Sequence, residues 1–291
     1  MDNSKLPKLE NLEERKLKEI EHSRKRRSIL QGFERHSDTE VSETVENLES
    51  VILDKDAFEH NFSNMKYYSV TNKSEEHLYN WLEKKCRSGI KVLDFGCGNG
   101  ENGIHAAKCG GDVSGIDISP EGVENANLNA RQAGVDKTCS FEVMDGENMT
   151  FSNNSFDIAV EYGVLHHVDL DKALIELNRV LKPEGEMICV EALRHNPLIH
   201  LYRKRTTHLR TEWEVEHILG VESLQIAKKY FHHVDVKFYH LAVLASVPFR
   251  KMWFFKPLRA FLNIVDNILL KYQILGKYGW IMVFTMSRPK K

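Results

Sequence analysis

No two of the five cysteines, Cys86, Cys97, Cys109, Cys139 and Cys189, stand in CxxC spacing, and no histidine cluster completes a zinc pattern. No metal site is therefore expected. An odd number of dispersed thiols suits a reducing compartment. A basic excess is also missing, since 40 Lys and Arg stand against 42 Asp and Glu for a net charge of -2. A dedicated nucleic-acid binder would be strongly basic, so no nucleic-acid partner is expected. No stretch reaches the roughly 18 consecutive apolar residues of a membrane-spanning helix. Residues Met1 to Glu10 lack the apolar run of a signal peptide. Together these absences point to a cytoplasmic, soluble chain without internal repeats or low-complexity tracts.

What is present suffices for a sizeable core, because 42% hydrophobic and 9% aromatic residues rule out wholesale disorder. Residues 1–60 are dense in Glu, Lys and Arg with a thin apolar pattern. They read as a charged N-terminal extension of solvated helices or a partly disordered arm. The composition changes near Phe62, and residues 61–291 read as one α/β domain. Ser74 is expected to cap a helix carrying Leu78, Trp81 and Leu82 on one face.

From Ile90 onward strands and helices alternate. Strands are expected at 91–95, 112–117, 140–144, 156–162 and 187–192, with two more at 234–241 and 280–286. Helices lead up to Cys109, start at Ser119-Pro120, and cover 173–180 and 224–231. Units of this length imply a mostly parallel sheet with helices on both faces. A segment of about 248–279 interrupts the scheme before the last strand.

The chemistry concentrates at the ends of the first strands. Gly96, Gly98 and Gly100 form a turn that lets backbone approach a ligand, and the next helix offers its N-terminal amides. A dinucleotide fingerprint would want a small residue at position 101, where Glu101 would repel a pyrophosphate. Asp94, two residues before the first glycine, suits a cationic ligand instead. Asp117 ends the second strand, where a carboxylate can accept from both hydroxyls of a ribose. Asp145 ends the third, where it can accept from an adenine amino group.

The segments VLDFGCGNG, GIDIS, MDGEN, FDIAVEYGVLHHV and LKPEGEMICVEA stand in the order found in class I S-adenosylmethionine-dependent methyltransferases. The chain resembles most the small-molecule branch that includes the ubiquinone and menaquinone enzymes, over about Ile90 to Ala192. The resemblance implies a Rossmann-like sheet of seven strands with the last antiparallel, and S-adenosyl-L-methionine as cofactor. It implies that Asp94, Gly96, Cys97, Gly98 and Gly100 surround the methionine part. Asp117 would serve the ribose, Asp145 and Gly146 the adenine, and Glu161 the methionine end, with Ile118 also among the cofactor-binding residues. The implied acceptor is a small or lipid-like molecule attacked through an oxygen, nitrogen or carbon. A nicotinamide-dependent oxidoreductase and a catalytically silent binding subunit are the alternatives.

Outside this core the readings divide. His166 and His167 are candidate general bases, or structural residues beside the site. Lys66, Tyr67 and Tyr68 form a lid over the cofactor, or pack as an ordinary helix. Segment 193–215 carries Arg194, His195, Arg203 and Arg205 among other cations and no acid from 194 to 210. It reads as a clamp for an anionic group on the acceptor, or as a solvated helix face. In 248–279, Leu258, Phe261, Leu262, Val265, Ile268, Leu269 and Tyr272 recur at helical spacing with basic residues alongside. That pattern suits peripheral membrane contact; the alternative is a helix pair packed on its own domain or on a second copy.

Overall fold

The computed structural model describes residues 12–29 and 63–291. The rest of the expected extension, 1–11 and 30–60, lies outside the described residues. In chain order the principal elements begin with α1 (Glu14–Ile29) and α2 (Asn72–Lys85). The first half of the sheet region is β1 (Lys91–Phe95), α3 (Glu101–Lys108), β2 (Asp112–Asp117), α4 (Pro120–Gln132) and β3 (Cys139–Val143). Then come β4 (Phe156–Tyr162), α5 (Leu170–Val180), β5 (Leu181–Ala192), α6 (Pro197–Arg205), α7 (Ser223–Tyr230) and β6 (Phe231–Tyr239). The chain closes with α8 (Phe255–Leu269) and β7 (Ile281–Pro289).

The seven strands form one sheet in the order β3-β2-β1-β4-β5-β7-β6. β7 inserts between β5 and β6, antiparallel to both, while β1 to β5 pair in parallel. Alternate residues of each strand feed two apolar layers. Val92, Val113 and Ile158 face Leu78 and Leu82 of α2 and Ala106 of α3. Leu93, Ile116 and Ala159 face Leu174 and Leu177 of α5 and Ala227 of α7. Burial of this kind is worth about 1.5–3 kcal/mol per large aliphatic side chain, and it fixes the strand ends that build the site.

Local signals account for most boundaries. Ser119 Oγ accepts from the Gly122 amide with Pro120 at the first helical position, as expected. Asp169 Oδ1 accepts from the Lys172 amide and starts α5. Ser74 is not a cap: it lies inside α2, buried, with its hydroxyl 2.9 Å from His240 Nε2. β5 starts at Leu181 rather than 187, because Leu181 pairs with Phe156 before a register shift.

Two helices differ from their expected surroundings. α1 belongs to the stretch read as solvated, yet Lys16 and Ile20 are buried. Its charges meet charges of the domain, which offsets their desolvation. In α8 the apolar face does not turn uniformly inward: Asn263 and Asp266 are buried, and Phe261 and Ile268 point to solvent.

Candidate functional site

The sheet order reverses direction between β1 and β4, and a cavity of about 430 Å³ opens at the carboxyl ends of these strands. A crevice at such a switch point is where open α/β sheets bind ligands, and the volume falls in the range of small-molecule pockets. Its floor begins with the glycine turn. Gly96, Gly98 and Gly100 all hold left-handed φ values of 69°, 55° and 87°. A side chain at Gly96 would also lie 2.4 Å from Val164. The turn is tied to β2, with Cys97 N donating to Ile116 O at 2.8 Å and Gly98 N to Asp117 Oδ2 at 2.9 Å. Asp117 Oδ1 accepts from Ser119 N at 2.8 Å. One carboxylate thus ties the glycine turn to the start of α4 while lining the cavity.

The cavity has a roof that sequence reading missed. Arg15, Lys16, Glu19, His22 and Ser23 of α1 line it from above. Lys16 Nζ lies 2.7 Å from Asp145 Oδ2 and 3.0 Å from Glu147 Oε2, and Arg15 lies 2.7 Å from Glu147 Oε1. Arg15 also stacks over the Trp213 ring, 4.3 Å from its centroid. Glu19 reaches His167 Nδ1 at 3.0 Å and the Thr211 hydroxyl. α1 therefore bridges the turn after β3 to the stretch after α6. No hydrophobic period announces this; only the pairing of its cations with Asp145 and Glu147 does.

The two adjacent histidines have different partners. His166 Nδ1 lies 2.6 Å from Glu191 Oε2, and Glu191 Oε1 accepts from Leu165 N at 2.6 Å. A carboxylate can only accept, so Nδ1 carries a proton and Nε2 is the ring nitrogen left for other partners. Glu161, fully buried alongside, is pushed well above the usual carboxylate range by burial and by the Glu191 charge. Its Oε2 accepts from Val164 N at 3.0 Å. For His167, burial works against charge, but Glu19, Glu214 and Glu191 outweigh it and push its pKa up to about 9. His167 is thus a cation at neutral pH.

The sequence-predicted residues fall into two groups. Gly96, Asp117, Ile118, Asp145, Gly146, His166 and His167 come together on the cavity wall. Cys97, Gly98 and Gly100 form the turn behind it. Asp94 lies beneath the turn, accepting from Gly103 N at 2.9 Å and so fixing the start of α3. Burial pushes its carboxyl up to about 7, with Gly103 N opposing and the Glu101 and Asp117 charges adding. Glu161 sits behind Glu191. Tyr68 rather than Tyr67 faces the cavity, its ring 5.6 Å from that of Trp280; Tyr67 packs edge-on to Tyr202.

The proposed cationic clamp does not assemble on the wall. Arg194 pairs with Glu222, and His195 lies 3.3 Å from the same carboxylate. Arg205 is exposed. Arg203 donates to Leu193 O at 2.8 Å, and burial and the Arg210 charge hold it down at about 10. Arg210 is the cation of that stretch that does line the cavity, paired with Glu214 at 3.1 Å. Trp280 and Ile281, at the start of β7, complete the wall.

The cavity presents six carboxylates (Glu19, Asp117, Asp145, Glu147, Glu191, Glu214) against four cations (Arg15, Lys16, Arg210 and the charged His167). Such a lining favours a cationic ligand. Tyr162, which also lines it, keeps a buried hydroxyl without a hydrogen-bond partner. Buried polar groups are rarely left so, and a bound molecule would satisfy it. Among the described residues no group of three His, Cys, Asp or Glu is placed to hold a metal ion.

Residues 86–237 match the protein family described as methyltransferase domain. The chain is 31% identical over 137 residues to the sterol 4-C-methyltransferase of Caenorhabditis elegans, covering 46% of this chain and 40% of that protein. It is 37% identical over 114 residues to the demethylmenaquinone methyltransferase of Staphylococcus aureus, covering 36% and 44%. The matches thus span less than half the length of these relatives. Among solved structures, the geranyl diphosphate C-methyltransferase of Streptomyces coelicolor, in complex with S-adenosyl-L-homocysteine, shares the fold. Its TM-score is 0.54 at 14% identity, over 86% of this chain and 99% of that one.

Proposed function

The chain belongs to the methyltransferase-domain family, and on that premise we propose that it transfers a methyl group from S-adenosyl-L-methionine to a small, lipid-like acceptor. The observation that carries the reading is the carboxylate-rich cavity at the β1/β4 crossing, with the glycine turn and Asp117 in its floor. When bound, the cofactor supplies an electrophilic methyl group on a sulfonium. Asp117 would hold the ribose, Ile118 and Gly146 would flank the adenine, and the glycine turn would sit against the methionine part. Asp145, already paired with Lys16, would contribute its remaining lone pairs.

The chain's own contribution to the reaction is orientation and proton handling. Holding two reactants in line can supply roughly 7–11 kcal/mol of barrier lowering. His166, fixed by Glu191, presents Nε2 to take the proton from the acceptor's oxygen or nitrogen as it attacks. His167 is charged by its surroundings and serves to hold α1. Aromatic and aliphatic residues at the far wall, Tyr68, Trp280 and Ile281, suit an apolar acceptor. The sterol and quinone named for the relatives belong to the same chemical class. Peripheral membrane contact through 248–279, from the cytoplasm, belongs to this reading, since a lipid-like acceptor is met where it resides. The family match gives no support to the oxidoreductase or silent-subunit alternatives.

The test is incubation with methyl-labelled S-adenosyl-L-methionine and a total lipid extract. Label should enter the organic phase. His166→Asn should lower kcat about 100-fold, within the range for loss of a general base, with affinity for S-adenosyl-L-homocysteine unchanged. Binding of the cofactor with no label transferred to any organic or aqueous acceptor would overturn the proposal.

A further inference from the structure

Nine of the fifteen exposed large hydrophobic side chains among the described residues fall between positions 249 and 278. Trp253 is 89% exposed and Ile274 78%. Scattered exposed apolar residues are ordinary, but a contiguous concentration marks an interaction surface. Helix α8 shows why the concentration exists. Phe261, Ile264 and Ile268 recur at helical spacing and all face solvent.

The inward arc of α8 carries, beside Phe255 and Leu262, polar residues with fixed tasks. The buried Asp266 carboxylate accepts backbone N–H bonds from Leu241, Ala242 and Val243, at 3.1, 2.5 and 3.2 Å. Arg259 donates to Ser69 O at 3.0 Å. Turning the helix over would strand a carboxylate's worth of buried donors. The outward apolar stripe is therefore enforced by the packing of the helix and is not a choice of register.

Charge selects the occupant. Between Ser246 and Lys291 the only acid is Asp266, which is buried, and the surface around α8 carries Lys251, Lys256 and Lys271, all exposed. An isologous contact with a second copy would set this patch against itself, basic on basic. Anionic headgroups would match it, with apolar side chains entering the acyl boundary. Among the described residues no helix is long and apolar enough to cross a membrane.

We propose that the outward face of α8, with Trp253 before it and Tyr272 and Ile274 after it, docks in the interfacial layer of an anionic membrane. The same segment abuts the cavity. Arg259 holds the carbonyl next to Tyr68, and the chain runs on from Tyr278 directly into Trp280 and Ile281. On the reading of the site given above, docking sets the apolar wall of the cavity beside the bilayer from which the acceptor comes.

Flotation of the full chain with vesicles tests this. At low salt it should float with phosphatidylcholine vesicles containing phosphatidylglycerol, and at least about tenfold less with phosphatidylcholine alone. The triple variant Trp253→Ser, Phe261→Ser, Ile264→Ser should stay at the bottom. It should still bind S-adenosyl-L-homocysteine like the parent chain, which shows that it is folded. Lys256→Glu with Lys271→Glu should reduce flotation and its salt dependence. A parent chain that fails to float, or a triple variant that floats equally well, overturns the proposal. So does a lipid-free dimer abolished by the triple variant without flotation of the parent. Flotation requires no methyl transfer, so its failure leaves the proposed activity standing and the converse also holds.

Discussion

Helices α1 and α8 reverse the usual relation between composition and position. α1 is rich in charge and lies over the cavity, with Lys16 buried. α8 is rich in large apolar residues and shows much of that surface to solvent, with Asp266 buried. In each case the buried polar group has partners already in place: Asp145 and Glu147 for Lys16, and three backbone amides for Asp266. Partner geometry, rather than the average polarity of a helix, decides which face turns in.

Removing a partner should break each arrangement, and the effect should be largest at Asp266. Asp266→Ala leaves three backbone donors without their acceptor, at about 1–3 kcal/mol for a buried unsatisfied group. The unfolding free energy from a urea titration should fall by roughly 3 kcal/mol. A fall below about 0.5 kcal/mol, the size of an ordinary surface change, would show that the inward polar face of α8 is not what orients it.

Lys16→Met tests α1 in the same way. It leaves Glu147, whose side chain is 1% exposed, with Arg15, the Asp169 amide and Lys172 at 3.9 Å, and Asp145 without its cation. Breaking a fully buried pair costs 3–5 kcal/mol, and Asp145 retains some access to water. The docking of α1 should weaken by roughly 2 kcal/mol. Limited proteolysis within α1 should then accelerate about 30-fold, the rate ratio for that energy, while the rest of the chain resists as before. Equal cleavage rates would mean that α1 is held by something other than these pairs.

The contrast between the two helices was only partly legible in the sequence. The succession of strands along the chain, the glycine turn, and the places of Asp117 and Asp145 at strand ends could be read because each rests on local spacing and on a signal within a few residues. The Asp94 contact with Gly103 is also local, but it points under the turn, which spacing alone does not reveal. The roof could not be read, because Arg15 and Glu147 are 132 positions apart and their match is visible only once folded. The failure of the cationic clamp has the same cause: Arg194 and His195 meet Glu222 across a loop, while Arg210 turns inward. In α8 the helical period was legible, but not the direction it faces, since Asp266 answers amides 23 to 25 positions away.

A further effect comes from pH, which acts on α1 through His167. The folded pKa of His167, about 9, lies above its ordinary 6.5. Its stabilising contribution is therefore fully present below about pH 6.5 and is lost as pH rises through about 9. Proteolysis of α1 should accelerate across that window, and His167→Gln should flatten the profile. An unchanged profile in the variant would assign the titration elsewhere.

The most direct question is whether the cavity holds the cofactor through Asp117. Isothermal titration of the chain with S-adenosyl-L-homocysteine, beside Asp117→Ala, measures this. Loss of one charge-assisted hydrogen bond is worth about 1.5–3 kcal/mol, so the account predicts one-to-one binding that weakens by at least about tenfold in the variant. Equal affinity in both proteins, or no binding to the parent chain, would contradict it.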